Sequence, residues 1–254
     1  MSSRATVIAV TSLSLEARIA SGPGVSVICS QAGQLVACLE AAIDRALGII
    51  SFGVAGGLAP DLKPGDWVIG TGVRSGQKWF PTDQRWARRL LDALPGAVQA
   101  EIVGANSAVA HACEKRQLHA QTGAMAVDME SHLAAEVAAA YGIPFAVCRT
   151  VIDPADRDLP PAAVVGLRND GTPDMLAISR SVVRQPGQVP ALVRIAIDAW
   201  SARGALLRGR RLLGPAFGCP YYGEPAAEHA GAEIASFGAS TMRSAGSSLP
   251  IPRV

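Results

Sequence analysis

Short β-branched runs alternate along this chain with longer alanine-rich runs of helical period, and that alternation limits its fold more than any other feature. Strands are predicted over 6–10, 25–29, 48–54, 67–73, 98–103 and 144–152. Helices are predicted over 14–20, 31–47, 83–94, 108–120, 129–141, 175–183 and 189–207. Strands joined by helical crossovers pair in parallel, because a tight hairpin can only reverse the chain. The expected architecture is an α/β domain with a largely parallel sheet covered by helices, richer in helix towards its end. With 254 residues, 49% of them apolar, the chain can bury a substantial core. Residues 214–254 are rich in Gly, Ala, Ser and Pro and show no period. The domain is therefore placed at 1–213, followed by a disordered or loosely attached tail at 214–254.

A formal net charge of +2 gives no case for a nucleic-acid binder. Cys29, Cys38, Cys113, Cys148 and Cys219 are scattered and form no CxxC pair, the pattern of a reduced, cytoplasmic protein. No His/Cys cluster has metal-ligand spacing. The longest uncharged apolar run, 46–60, is broken by glycines and Ser51 and is too short for a membrane span. Arg4 and the following ATVIAVTSLSL could be mistaken for a leader. They lack a small-x-small cleavage site, and Glu16 and Arg18 follow at once.

Ligands of open parallel sheets bind beyond the carboxyl ends of the strands. The segments after residues 10, 54 and 152 occupy such ends. In Ser51-Phe52-Gly53-Val54-Ala55-Gly56-Gly57-Leu58 a strand enters a glycine-rich turn, whose backbone can approach a ligand closely. It is neither a P-loop nor a dinucleotide fingerprint, and a tight turn with positive φ accounts for the glycines as well. In Ala126-Val127-Asp128-Met129-Glu130-Ser131, Glu130 shares a helical face with Ala134, Val137 and Tyr141, so a carboxylate joins an inward stripe. His132 and Glu136 fall on the solvated side. Asp128 and Glu130 would also suit the simpler task of complementing a helix dipole.

Asp153 ends an apolar strand, and Pro154 stops the pairing. A carboxyl between apolar walls has a raised pKa and can donate a proton near neutrality; the plain alternative is an Asx turn before proline. Asp156 and Asp158 fall in the loop beyond. After the first strand, Ser12 or Ser14 is expected to cap a helix, with Glu16 either part of that cap or held over a substrate.

Taken in order, SFGVAGGL, AVDMES and RTVIDPAD resemble the purine nucleoside phosphorylase/methylthioadenosine nucleosidase superfamily, over residues 5–213. The longer stretches GVAGGLAPDLKPGDWVIG, AVDMESHLAAEVAAAYGIPF, IDPADRDLPPAAVVGLRNDG and ALLRGRRLLG look like the hopanoid-associated phosphorylase family. That family is linked to bacteriohopanetriol-type lipid synthesis and to removal of adenine from adenosylhopane. The resemblance implies a single three-layer α/β domain with a central mixed, mostly parallel, twisted sheet flanked by helices. It implies cleavage of the N-glycosidic bond of a purine nucleoside, without metal or cofactor.

By the same resemblance, Asp153 protonates purine N7 and Glu16 activates water. Glu130 grips the ribose hydroxyls, Met129 packs on the sugar, and Ala55, Gly56 and Val109 line the base. Three positions depart from the family pattern. Val54 and Ile152 stand where hydroxyl residues are common, and Ala108 replaces a stacking aromatic. No arginine is in register to bind phosphate, Arg18 being the nearest, so phosphate as co-substrate stays open. Glu16 favours water. A small-molecule or lipid-linked nucleoside is the expected ligand and a homo-oligomer the expected assembly. The basic, apolar segment 200–213 suits either an anionic membrane surface or an ordinary terminal helix. The alternatives are a methylthioadenosine, S-adenosylhomocysteine or futalosine nucleosidase, or a catalytically weak binding module.

Overall fold

A computed structural model of the chain describes residues 5–30, 32–164 and 174–223. In chain order the elements are β1 (Thr6–Thr11), α1 (Ser14–Ala20), β2 (Val25–Cys29), α2 (Ala32–Ala42), β3 (Ala46–Gly57), β4 (Trp67–Ser75), β5 (Lys78–Pro81), α3 (Gln84–Ala93), β6 (Val98–Gly104), α4 (Ala112–Thr122), β7 (Ala126–Asp128), α5 (Ser131–Tyr141), β8 (Phe145–Asp153), α6 (Pro161–Val164), α7 (Met175–Arg184) and α8 (Val189–Leu213).

The sheet is mixed. β1 lies between β2 and β3, parallel to both; β3 is parallel to β8 and antiparallel to β7. β4 is parallel to β6, and β6 to β7, while β4 is antiparallel to β8 and to β5. The ladders from β3 through β8, β4, β6 and β7 return to β3, so the middle of the sheet closes on itself. One apolar cluster joins α2 and α5 to the sheet through Leu35, Leu39, Ala134 and Val137. Another joins α1, α3 and α8 through Ile19, Trp86, Leu90 and Leu206. The expected α/β domain with a mixed sheet between helices is what forms.

The differences from the sequence reading have local causes. The helix expected over 31–47 stops at Ala42, because Ala46 and Gly48 are drawn into the ladder beside Thr6 and Val7; Gln31 lies outside the described residues. The helix expected from 108 starts at Ala112, whose N–H is taken by Asp158 Oδ1 at 2.6 Å. β5 and β7 are short strands with no alternation long enough to read. His132 is buried rather than solvated, with Nε2 3.2 Å from Asn106 Oδ1; Tyr141, expected inward, is exposed.

The expected tail is corrected at its start. Residues 215–218 make a 3-10 turn that buries Ala216 and Phe217. The Phe217 carbonyl accepts the Trp86 indole N–H at 2.9 Å, and Tyr221 donates to Asp83 at 2.6 Å. Residues 224–254 lie outside the described residues. Segment 200–213 turns Ala202, Ala205, Leu206 and Leu213 into the core and leaves Trp200 and Leu212 exposed. Among the described residues no helix is long and apolar enough to cross a membrane.

Candidate active site

The site is built where β3 passes α1 and β8. Gly53 has φ of +150°, and a Cβ there would lie 2.5 Å from Glu16 Oε1 and 2.8 Å from Arg149 Nη1. Only glycine lets two charged side chains pack so closely on the strand. Its neighbour Val54 donates its backbone N–H to Glu16 Oε1 at 2.7 Å.

Glu16 is buried, 1% exposed. Its other oxygen accepts the N–H groups of Ser12 at 3.1 Å and Leu13 at 3.0 Å, and lies 3.4 Å from the Ser12 hydroxyl. Leu13, not Ser12 or Ser14, is the N-cap residue of α1, and Glu16 serves that helix start as well as the site. Burial raises the Glu16 pKa, opposed by Arg149 and the backbone donors.

Arg149, in the middle of β8, is fully buried and gathers the acids. Its Nε sits 2.6 Å from Asp128 Oδ2; Nη2 donates to Ser51 Oγ at 2.6 Å and to Glu130 Oε2 at 3.3 Å, and Nη1 to the Val54 carbonyl at 3.3 Å. Burial works against the guanidinium charge, but Asp128, Glu130 and Glu16 more than offset it, and its pKa is raised. The two acids near the start of α5 divide the roles left open by the sequence. Asp128 accepts the Ser131 N–H at 3.1 Å and caps the helix. Glu130 makes no side-chain cap bond and turns to Arg149. Its pKa is pushed up to about 7 by burial, with Arg149 opposing and Asp128 and Glu16 adding to the rise.

Asp153, at the end of β8, is buried, and its Oδ2 accepts from Lys115 Nζ. Burial raises its pKa, and Lys115 opposes the rise. Lys115 was not among the residues expected from the sequence, nor was Arg149 as a charge centre.

A cavity of about 160 Å³ opens between these elements. Glu130, Asp153, Met129, Ala55, Gly56 and Val109 all line it, so six of the seven expected site residues meet there. The departures Val54, Ala108 and Ile152 line it too. Glu16 stands behind the wall, in contact with Ser12, Leu13 and Val54, which do line the cavity. Arg18 is exposed, and its Nε donates to the Ser14 carbonyl at 3.4 Å. A second cavity, of about 360 Å³, lies on α8's side of the Asp153 loop and shares Asp153 and Leu159 with the first. Of the seven expected site residues, only Asp153 lines the larger one. Among the described residues no group of three or more His, Cys, Asp or Glu is placed to hold a metal ion.

Residues 19–184 match the sequence family described as the phosphorylase superfamily. Comparison with curated proteins finds no match. Among solved structures, the 5'-methylthioadenosine/S-adenosylhomocysteine nucleosidase of Helicobacter pylori is similar at 14% identity and a TM-score of 0.57, covering 83% of this chain and 96% of that one. The futalosine hydrolase of the same organism is similar at 16% identity and 0.53, covering 71% and 98%. The nucleosidase of Colwellia psychrerythraea, solved with adenine, is similar at 16% identity and 0.55, covering 74% and 96%.

Proposed function

This chain belongs to the phosphorylase superfamily, and from that premise we propose that it is an enzyme of the nucleoside phosphorylase/nucleosidase class that cleaves a purine nucleoside at the N-glycosidic bond, releasing adenine from adenosylhopane. One observation carries the chemistry: Glu130 and Asp153 open onto a single cavity, with Glu16 and Arg149 packed behind its wall. The hopanoid substrate rests on the long stretches of sequence resemblance.

Breaking the C1′–N9 bond leaves positive charge on the ribose and negative charge on the base. Asp153 gives a proton to N7, a general-acid contribution worth about 10²–10⁴ in rate. Glu130 holds the ribose hydroxyls and, when ionised, stabilises the cationic sugar. Glu16, reached through Ser12, deprotonates water. The nucleophile is assigned to water because Glu16, Asp128 and Glu130 surround Arg149 as the one guanidinium among them, a poor setting for a phosphate dianion.

The test is incubation of purified protein with adenosylhopane, with and without phosphate, followed by identification of base and sugar. Adenine with ribosylhopane, formed without phosphate, is expected. A ribose phosphate would establish phosphorolysis instead. Release of the purine base only from methylthioadenosine, S-adenosylhomocysteine or futalosine would establish a second reading, favoured by the small cavity: about 160 Å³, against the roughly 300–1,000 Å³ usual for small-molecule sites. A homo-oligomer whose neighbour completes the cavity is proposed on the same ground.

Contact with the cytoplasmic face of an anionic membrane is proposed through α8. Val189, Val193, Ile197 and Trp200 stand exposed along it at helical spacing, with Arg203 5.7 Å from the Trp200 ring. Co-sedimentation with acidic vesicles that survives replacement of Ile197 and Trp200 by serine would dismiss it.

A further inference from the structure

Lys115 belongs to none of the roles above, yet it is the most deeply buried cation near the cavity apart from Arg149. It lies on α4, with its side chain 0% exposed. Its Nζ donates to Asp153 Oδ2, to the Pro154 carbonyl at 3.0 Å and to the Arg157 carbonyl at 3.1 Å. An ammonium has three N–H bonds, and each here has an acceptor. A buried ammonium needs partners inside the protein, and here one carboxylate and two carbonyls supply them.

We propose that Lys115 is a positioning residue for the acid step: it orients the Asp153 carboxyl and sets the pH above which Asp153 has no proton to give. The inference rests on reading Asp153 as the general acid. In that step the Asp153 O–H bond breaks, an N7–H bond forms, and the C1′–N9 electron pair leaves with the base. Asp153 becomes a carboxylate, the form an adjacent ammonium prefers. Lys115 takes no part in the transfer, and solvent later returns a proton to Asp153. The ammonium thereby makes the acid stronger and narrows the pH range over which it is loaded.

Other charges facing the pair are accounted for. Asp198 of α8 adds to the rise at Asp153 but is itself paired with Arg157 Nη1 at 2.5 Å. Asp158, beside Lys115, lies 3.7 Å from His111. Asp156 and Arg194 face the pair across the larger cavity, and Glu130 across the smaller. None of these reaches the carboxyl as Lys115 does.

The experiment compares kcat/KM against pH for the wild type, Lys115→Met and Lys115→Arg. Without the ammonium, burial raises the Asp153 pKa unopposed. The alkaline limb for Lys115→Met should therefore move up by at least about one pH unit, the smallest shift expected from losing an adjacent opposite charge. Lys115→Arg should return the limb towards the wild type. A lower kcat with the limb unmoved would make Lys115 merely structural and overturn the proposal.

A second measurement needs no lysine variant. The chain has only three lysines, and Lys63 and Lys78 are exposed. In protein labelled with 15N-lysine, the Lys115 ammonium signal should exchange slowly and should shift in Asp153→Asn. A signal that exchanges like the other two, or ignores that substitution, overturns the proposal. If the wild type releases no base from any purine nucleoside, the acid reading of Asp153 fails, while the labelled spectra still decide whether Lys115 holds that carboxyl.

Discussion

Replacing Arg149 by methionine should cost more stability than any other single change at the site, and the cost should grow with pH. The side chain is fully buried and spans Asp128, Glu130, Ser51 and the Val54 carbonyl. Removing one partner of a buried ion pair typically costs about 3–5 kcal/mol, because the remaining charge is stranded. Here Asp128, Glu130 and Glu16 would be stranded together, so the upper end of that range applies. Against a domain stability of about 5–15 kcal/mol, the variant should still fold but unfold at much lower urea.

The stranded acids can relieve themselves by taking up protons. The folded wild type already holds its Glu130 proton up to about pH 7, above the ordinary 4.5. A carboxyl whose folded pKa exceeds its unfolded pKa binds more protons when folded, so stability falls as pH rises between the two values. Arg149 opposes the rise at Glu16 and Glu130, so its loss lifts the folded pKa values of both further. The deficit should therefore shrink on acidification by up to about 1.4 kcal/mol per pH unit for each carboxyl that takes a proton. Urea unfolding of both proteins at about pH 6 and pH 7.5 measures it. A deficit below about 1 kcal/mol, or one equal at both pH values, would refute the view that Arg149 neutralises a buried acidic cluster.

Asp153→Asn should leave KM within a few-fold and lower kcat at least about 10²-fold, as for a lost acid; unchanged turnover would take Asp153 out of the mechanism. Glu130→Gln should impair both KM and kcat in steady-state assays, since the same carboxylate holds the ribose before and during reaction. Gly53→Ala should lower the thermal midpoint by an amount corresponding to about 1–3 kcal/mol, because its Cβ would stand 2.5 Å from Glu16 Oε1; a neutral effect would show that Glu16 packs elsewhere. A chain ended at residue 213 should be less stable than one ended at 223 by about 3–5 kcal/mol, the usual cost of losing a buried phenylalanine, here Phe217.

The parts of the fold legible in the sequence are those where local pattern and tertiary environment agree. β2 and α1 have the predicted bounds, and the other predicted strands differ by only a few residues; in β1, β3, β4 and β8 the apolar run is also a largely buried run. Boundaries moved where a distant group intervened. Asp158 sets the start of α4, and the ladder beside Thr6 and Val7 ends the helical stretch after Ala42. The glycine-rich tail composition hid Phe217, whose burial depends on a pocket formed by Trp86 and Phe52, far away in the chain.

The two cations at the site were illegible to different degrees, and the difference is physical. Arg149 sits within Phe145–Asp153, a largely apolar and buried strand beside β3 and β4. A charge in such a strand must be neutralised inside the protein. Asp128 and Glu130 near the start of α5, and Glu16 near the start of α1, are the acids that strand ends bring within reach; a charge-balance argument on the strand would have found the cluster. Lys115 offered less. It follows Glu114 and precedes Arg116 in a polar stretch, and only the spacing to Ala112 and Leu118 marks the inward face. Its partners are one carboxylate and two carbonyls beyond β8, a turn whose path no local pattern specifies. Acids were readable as chemistry because they ended strands or began helices; the cations that set their protonation were readable only once the chain had been folded around them.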